Sequence, residues 1–304
     1  MSKSTISTFQ LFEMFPDQET ARKYLEKRRW NGEVYCPHCG EAENITKRKN
    51  GYYRCNSCKH DFTVRTGTIF ERSHVPLHKW LYAMYLLMTA RKGVSSLQLA
   101  KEIGVTQKTA WFMLQRIREA CGNDPSLLSG IVEIDETYIG GKEKNKHESK
   151  RKHEGRGPVG KTPVVGMRER GGRTKAKPVK DVDSDNLKAI IEENVQAGST
   201  LHTDEASSYN AVEALYRRAS VNHSEGVYSF NGVTTNGIES VWAVLKRGVY
   251  GVYHHVSPQH LHRYVNEFTF RLNEGNVANH TLERLASLAD ACVGPRLTYA
   301  ELTK

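Results

Sequence analysis

The sequence predicts a multidomain chain of mixed α+β and α/β class: a small cysteine-held module, a helical segment, then a domain built on a mixed sheet. Three observations carry that expectation. Two CxxC pairs lie close together before residue 60, helical periodicity dominates from residue 76 to about 121, and from residue 130 strand-like runs alternate with helical ones. A chain of 304 residues has room for two or three domains and a real core. Aromatic residues at 9% argue against wholesale disorder.

The first element expected is a helical segment over residues 1–30, with Phe9, Phe12 and Phe15 on an irregular apolar face. The cysteine module follows at 31–70. CPHCG supplies Cys36 and Cys39, and CNSCKHDF supplies Cys55 and Cys58, with fifteen residues between the pairs. A two-residue gap lets one tight turn deliver two sulfurs to one ion, and zinc takes four thiolates tetrahedrally. Disulfides are disfavoured in an intracellular chain, and a redox CxxC does not come as a matched pair. A zinc ribbon flanked by the strands YYRC and DFTV is therefore expected, folded by its metal. His38 and His60 are spare donors, and Cys121 and Cys292 read as buried thiols.

Residues 71–122 read as a helix-turn-helix segment. VPLHKWLYAMYLLMTARKG is a helix with Pro76 near its start and Gly93 past its end. In LQLAKEIGVTQKTAWFMLQRIREA, Gly104 allows a sharp turn and Thr106 can cap the second helix. Leu97, Leu99, Ala100 and Ile103 are expected inside on the first helix, and Ala110, Met113, Leu114 and Ile117 on the second. That turns Gln107, Lys108, Trp111, Gln115, Arg116 and Arg118 outward, with Lys108 and Arg116 as candidate DNA contacts.

A domain over 130–275 comes next, then a helical tail over 276–304. In GIVEIDETYIGG, period two places Glu133 and Asp135 on one strand face and Ile134 and Glu136 on the other. Charging a buried strand is costly unless the acids bind something cationic. In GSTLHTDEASSYN a short strand ends in Asp204 and SSYNAVEAL begins a helix. A helix starting near Thr235 puts Asn236, Glu239, Ala243 and Lys246 within about 80° of arc, with Glu239 and Lys246 ~10 Å apart along the axis. Hard oxygen ligands with open positions suit Mg²⁺ or Mn²⁺, and two such ions can activate a nucleophile and steady a leaving oxygen.

The charge balance points to a partner. The net charge is +10, and residues 142–180 hold 14 Lys/Arg against 4 Asp/Glu, so that one segment carries the whole excess. A basic insertion of this kind suits a phosphate backbone. No apolar run reaches the ~18–20 residues of a membrane span, and the opening MSKSTISTFQLFEMF lacks a signal-peptide pattern. A soluble protein of the cytoplasm, associated with the nucleoid, is expected.

With these residues in view, the chain resembles the DDE transposases of bacterial insertion sequences, in the group that joins an N-terminal zinc ribbon to an ISXO-like catalytic domain. The likeness spans nearly the whole chain, through RRWNGEVYCPHCG, YYRCNSCKHDFTVRTGTIFERSHVPLHKW, VEIDETYIGG, LHTDEASSY, TTNGIESVWAVLKRGVYGVYHHVSPQHLHRYVNEFTFRLN and GPRLTYAEL. The resemblance implies an RNase H-like domain binding divalent metal through an acidic triad, the first two ligands falling on Asp135 and Asp204. The third falls in TNGIES, where relatives use an asparagine or a glutamate. This sequence has both Asn236 and Glu239, and Glu239 is assigned because a carboxylate neutralises Mg²⁺, with Asn236 assisting. Lys246, His254 and His255 match accessory positions, with the role of holding DNA phosphates. The implied reaction is hydrolysis at the element's ends, then attack of the freed 3′-hydroxyl on target DNA, in a homodimer or higher oligomer. The competing readings are a ribbon and helix-turn-helix regulator with an inactive sheet domain, and a metal-dependent nuclease without strand transfer.

Overall fold

Ser7 and Asp17 each cap a helix with their side chains, and the break between the two helices falls at Phe15 and Pro16. The segment expected as one helical stretch is thus α1 (Thr8–Met14) followed by α2 (Gln18–Trp30), which ends on Asn31 in the left-handed conformation. The computed structural model describes residues 5–122, 124–151, 158–212, 214–221, 229–230, 232–294 and 296–303. Two compact units divide the chain, the first made of residues 1–123 with 274–304 and the second of 124–273.

In the first unit, β1 (Ile45–Lys47), β2 (Tyr53–Cys55) and β3 (Asp61–Phe62) form an antiparallel three-stranded ribbon in that order. Trp30 closes α2 against it, with ring centroids 5.1 Å from Tyr53 and 6.1 Å from Phe62. Arg29 donates to the carbonyls of Val64 (2.9 Å) and Thr66 (2.6 Å), tying the same helix end to the chain leaving the ribbon. Helix α3 (Leu77–Thr89) is mean-apolar on nearly every side and is buried along its length. Helices α4 (Ser96–Ile103) and α5 (Gln107–Ala120) meet at Gly104, which adopts φ +64°, and Thr106 caps α5 by accepting from the Thr109 N–H.

The C-terminal residues pack into this same unit. Helix α9 (Thr281–Ala291) lies against α2 and α3, Arg28 pairs with Asp290, and the Ile69 N–H donates to the Cys292 carbonyl at 3.0 Å. The short α10 (Tyr299–Thr303) follows. No helix among the described residues is long and apolar enough to cross a membrane.

Two expectations for the helical segment are corrected here. Leu97, expected inside, is 63% exposed, while Gln115, Arg116 and Arg118, expected outward, are buried. Arg116 is held by the carbonyls of Ile69 (2.8 Å), Glu71 (3.1 Å) and Leu297 (3.0 Å). Its guanidinium fork satisfies three main-chain acceptors, which makes burial of the charge tolerable.

The second unit is a five-stranded mixed sheet of order β6-β5-β4-β7-β8. Its strands are β4 (Ile131–Ile139), β5 (Thr162–Glu169), β6 (Thr174–Pro178), β7 (Thr200–Thr203) and β8 (Arg217–Ser220). The first three in chain order pair antiparallel, and β7 and β8 add parallel. Alternation along β4 gives each face its own core. Val132 and Ile134 join Leu187, Ile190 and Ile191 of α6 (Ser184–Asn194), with Tyr209 and Val212. On the other face Ile139 and Val164 meet Ile238, Trp242 and Leu245 of α7 (Asn236–Gly248), and Leu261, Val265 and Phe268 of α8 (Pro258–Glu274). Two short strands, β9 (Ser229–Phe230) and β10 (Val233–Thr234), pair just before α7.

The basic segment 142–180 is not one loop. Residues 162–169 and 174–178 are β5 and β6, and two cations have partners within the unit: Arg173, in the turn between the strands, pairs with Asp124, and Lys177 of β6 pairs with Glu193. Residues 152–157 of that segment lie outside the described residues. After Asp204 the expected α-helix is a 3-10 turn over Ser207–Val212.

Candidate active site and metal centre

The four ribbon cysteines converge. Cys36 sits in the turn after α2 and Cys55 ends β2, and both are buried. The four sulfurs all lie within 4.8 Å of one another, with Cys36 Sγ 3.6 Å from Cys58 Sγ and Cys39 Sγ 3.7 Å from Cys55 Sγ. Four Zn–S bonds of ~2.3 Å in a tetrahedron separate the sulfurs by ~3.8 Å, so the cage has the size zinc requires. The Cys58 N–H also points at Cys55 Sγ (3.5 Å), a donor that favours thiolate. His38 and His60 lie against each other with ring centroids 4.9 Å apart and planes tilted by 34°, and both are exposed.

The acidic site is built by the sheet. In the parallel ladder Glu133 pairs with His202, and two residues further along both strands brings Asp204 beside Asp135 just where β7 ends. Glu133 and Asp135 share the α7 face, while Ile134 packs in the opposite core and Glu136 meets Tyr209 on that side. Glu239 sits in the first turn of α7, its N–H on the Thr235 carbonyl at 3.0 Å. The Thr235 hydroxyl lies 3.3 Å from Glu239 Oε1.

Electrostatics register the convergence. Burial pushes the Asp135 carboxyl above its usual range, the Glu136 N–H and the Trp242 indole oppose this, and the charges of Asp204 and Glu239 add to the rise. Glu136 is pushed up to about 7, chiefly by burial, although the Tyr209 hydroxyl donates to it. The three acids nonetheless stand wider apart than the cysteines, which are the one tight ligand group among the described residues.

Asn236 is exposed at the first helical position of α7, its N–H on Thr234 Oγ1 at 3.2 Å. Lys246 is exposed two turns beyond Glu239. The helix then runs into a π-helical turn, Val249–Tyr253, a rare form that proteins keep at functional sites. His254 follows with φ 58° and lies 3.2 Å, by Nδ1, from the Tyr250 carbonyl, and both His254 and His255 are exposed. In the first unit, Lys108 is exposed with its ammonium 4.6 Å from the centre of the Tyr299 ring.

Sequence reasoning missed the side chains that surround the acids. Trp242 donates its indole N–H to Asp135 Oδ2 at 2.9 Å. Arg168 donates to the Gly237 carbonyl (2.8 Å) and meets Ser240 Oγ at 3.0 Å, and Arg170 reaches Glu133 at 3.3 Å. His202 Nδ1 takes the Thr234 N–H at 3.3 Å and faces Arg170 at 3.2 Å, while burial and Arg170 lower its pKa. A signal for the arginines was present in their alternation: Arg168 is the β5 register partner of Glu133, and Arg170 follows two residues on, just past the strand.

Residues 127–273 match the ISXO2-like transposase domain, and residues 16–61 match the transposase zinc-ribbon domain. A protein of Halobacterium salinarum, described as an uncharacterized protein in transposable element ISH50, is 32% identical over 272 residues, covering 84% of this chain and 91% of its own. The chain belongs to the ISXO2-like transposase family. Its function is DNA transposition. Among solved structures, a pre-cleavage Mos1 transpososome aligns at 14% identity and TM-score 0.26, over 72% of this chain and 80% of that one. A simian T-cell lymphotropic virus intasome in complex with a PP2A regulatory subunit aligns at 14% identity and TM-score 0.29, over 61% of this chain and 65% of that one, just under two thirds. Likeness that slight carries no weight for the fold or the chemistry of this transposase.

Proposed function

We propose that this transposase cuts DNA at the ends of its element and joins the freed 3′ ends to target DNA, using Asp135, Asp204 and Glu239 to hold divalent metal. One observation carries the reading: three carboxylates from two parallel-paired strands and one helix end meet on one sheet face, and two of them raise the third's pKa. Such mutual repulsion is what a cation relieves. Asp135, Asp204 and Glu239 would hold divalent metal, which when bound would supply Lewis-acid activation of the attacking oxygen and neutralise the leaving one. Mg²⁺ or Mn²⁺ fits an all-oxygen donor set, as Zn²⁺ fits the ribbon thiols.

The chain's own residues divide the remaining tasks. Trp242 orients the Asp135 carboxylate and stabilises its charged form. Glu239 is placed by the α7 first turn, with Asn236 beside it at the exposed helix start. Lys246, His254 and His255 offer exposed donors beyond it for phosphate oxygens. The sheet, three antiparallel strands extended by two parallel ones with the first acid on the central strand, supports an RNase H-like reading. The α4–α5 pair, with Lys108 exposed at the start of α5, serves as a helix-turn-helix for the element ends. Working on two ends at once calls for a homodimer or higher oligomer, and the site of action is the nucleoid.

The test is cleavage of end-containing DNA with Mg²⁺. Asp135→Asn and Asp204→Asn should abolish cutting while DNA affinity stays near wild type, and full activity in either would sink the assignment. Glu239→Gln should match them, and Asn236→Ala should keep measurable activity. The opposite order would make Asn236 the ligand.

A further inference from the structure

Helix α7 is only partly capped by its own flank. Thr234 Oγ1 takes the Asn236 N–H at 3.2 Å, but Thr235, at the N-cap position, makes no side-chain cap bond, so the N–H groups that follow need an outside acceptor. The Ile238 N–H finds one 105 residues upstream, in Oε2 of Glu133 at 3.0 Å. Glu133 is only 4% exposed, and a carboxylate is buried that deeply only against strong partners. It has two: the positive end of a helix on Oε2 and Arg170 on Oε1 at 3.3 Å.

The helix is shaped for this visitor. A Cβ on Gly237 would sit 2.4 Å from Glu133 Oε2, so any side chain there would force the carboxylate to withdraw from the helix end. Beside it, Arg168, the register partner of Glu133 on β5, holds the Gly237 carbonyl and Ser240. Glu133 and Asp135 share a strand face ~6.8 Å apart, and Ile238 and Glu239 are consecutive. One strand thus fixes the helix with one acid and presents a second acid to the helix's own glutamate.

We propose that Glu133 is a positioning residue of the acidic centre: by capping α7 from β4 it sets where Glu239 stands relative to Asp135. The inference rests on the reading of Asp135, Asp204 and Glu239 as metal ligands. Its test is Mn²⁺ binding to the zinc-loaded, DNA-free full chain, followed by paramagnetic resonance, with thermal unfolding recorded alongside. Glu133→Ala should weaken Mn²⁺ binding by about tenfold or more. Glu133→Gln, which keeps an acceptor for the Ile238 N–H, should fall between it and wild type. Gly237→Ala, which drives the carboxylate away from the helix side, should reproduce the Glu133→Ala defect. The double variant should be no worse than either single one.

Wild-type Mn²⁺ affinity in Glu133→Ala or in Gly237→Ala, or full additivity in the double variant, would overturn the proposal. A fall in melting temperature with unchanged Mn²⁺ affinity would reduce Glu133 to a purely structural cap and overturn it too. Asp135→Asn separates the two levels. If it binds Mn²⁺ like wild type the acidic centre itself is wrong, and if it loses Mn²⁺ while Glu133→Ala does not, only the role of Glu133 fails.

Discussion

The indole N–H of Trp242 donates to Asp135 Oδ2 across 2.9 Å, and the same ring packs so close to β5 that a Cβ at Gly166 would come within 2.3 Å of it. The register explains both facts, because Gly166 is the direct β5 partner of Asp135. Trp242 is therefore anchored by packing and aims one donor at one acid. Trp242→Phe keeps most of the apolar burial and removes the donor. Because that donor opposes the rise in the Asp135 pKa, its loss should let protons compete better with metal. Metal-dependent cleavage should fall about 10–100-fold, with the acid limb of the pH–rate profile moved to higher pH and DNA affinity unchanged. An unshifted acid limb would show that the bond does not act on Asp135.

The ribbon has a built-in reporter. Trp30 packs edge-on against Tyr53 and Phe62, two side chains carried by the ribbon strands. A module this small cannot hold itself by apolar area, so removing zinc should unfold it. Chelation, or Cys36→Ser, should expose Trp30 and shift its emission to the red, and Trp30→Phe should erase that shift. One zinc per chain by metal analysis is expected, and a zinc-free protein with unchanged emission would remove the metal from the ribbon.

What could be read from sequence follows the range of the interactions. The cysteine cage depends on two local turns, and its spacing alone announces it. The faces of β4 depend on period two, so Glu133 and Asp135 could be placed together before any fold was known. The Trp242–Asp135 and Ile238–Glu133 bonds span 107 and 105 residues, and no local pattern encodes which strand a helix will land on. The inward turn of Arg116 was illegible for the same reason. Its acceptors at Ile69, Glu71 and Leu297 come from distant parts of the chain, and a lone arginine on a helix otherwise reads as solvent-facing.

Glu136 makes stability depend on pH. Its folded pKa is about 7, above the ordinary 4.5, so between these values the folded protein holds a proton that the unfolded chain has released. Stability is then greatest at or below about pH 4.5 as far as this group is concerned, falls as pH rises to about 7, and stays at the lower level above. Glu136→Gln keeps an acceptor for the Tyr209 hydroxyl and removes the titration. Its urea midpoint, measured without added Mg²⁺, should exceed that of wild type at pH 8, and the gap should close towards pH 5. A gap independent of pH would mean that Glu136 is not protonated in the folded state.

Lys108 and Arg116 lie on the same helix and should give opposite results. Lys108 is exposed at the first turn of α5, the end that a recognition helix offers to a groove, with its ammonium steadied over Tyr299. Lys108→Ala should weaken binding to element-end DNA and lower the slope of log affinity against log salt by about one, since one phosphate contact releases about one counterion. Arg116 is 5% exposed and occupied by three carbonyls. Arg116→Ala should leave the salt slope of the folded protein unchanged and cost about 3 kcal/mol of stability, because it strands buried acceptors. Urea unfolding and a salt titration of DNA affinity on both variants measure this directly. A reduced slope in Arg116→Ala with unaltered stability would return that arginine to the DNA-facing surface.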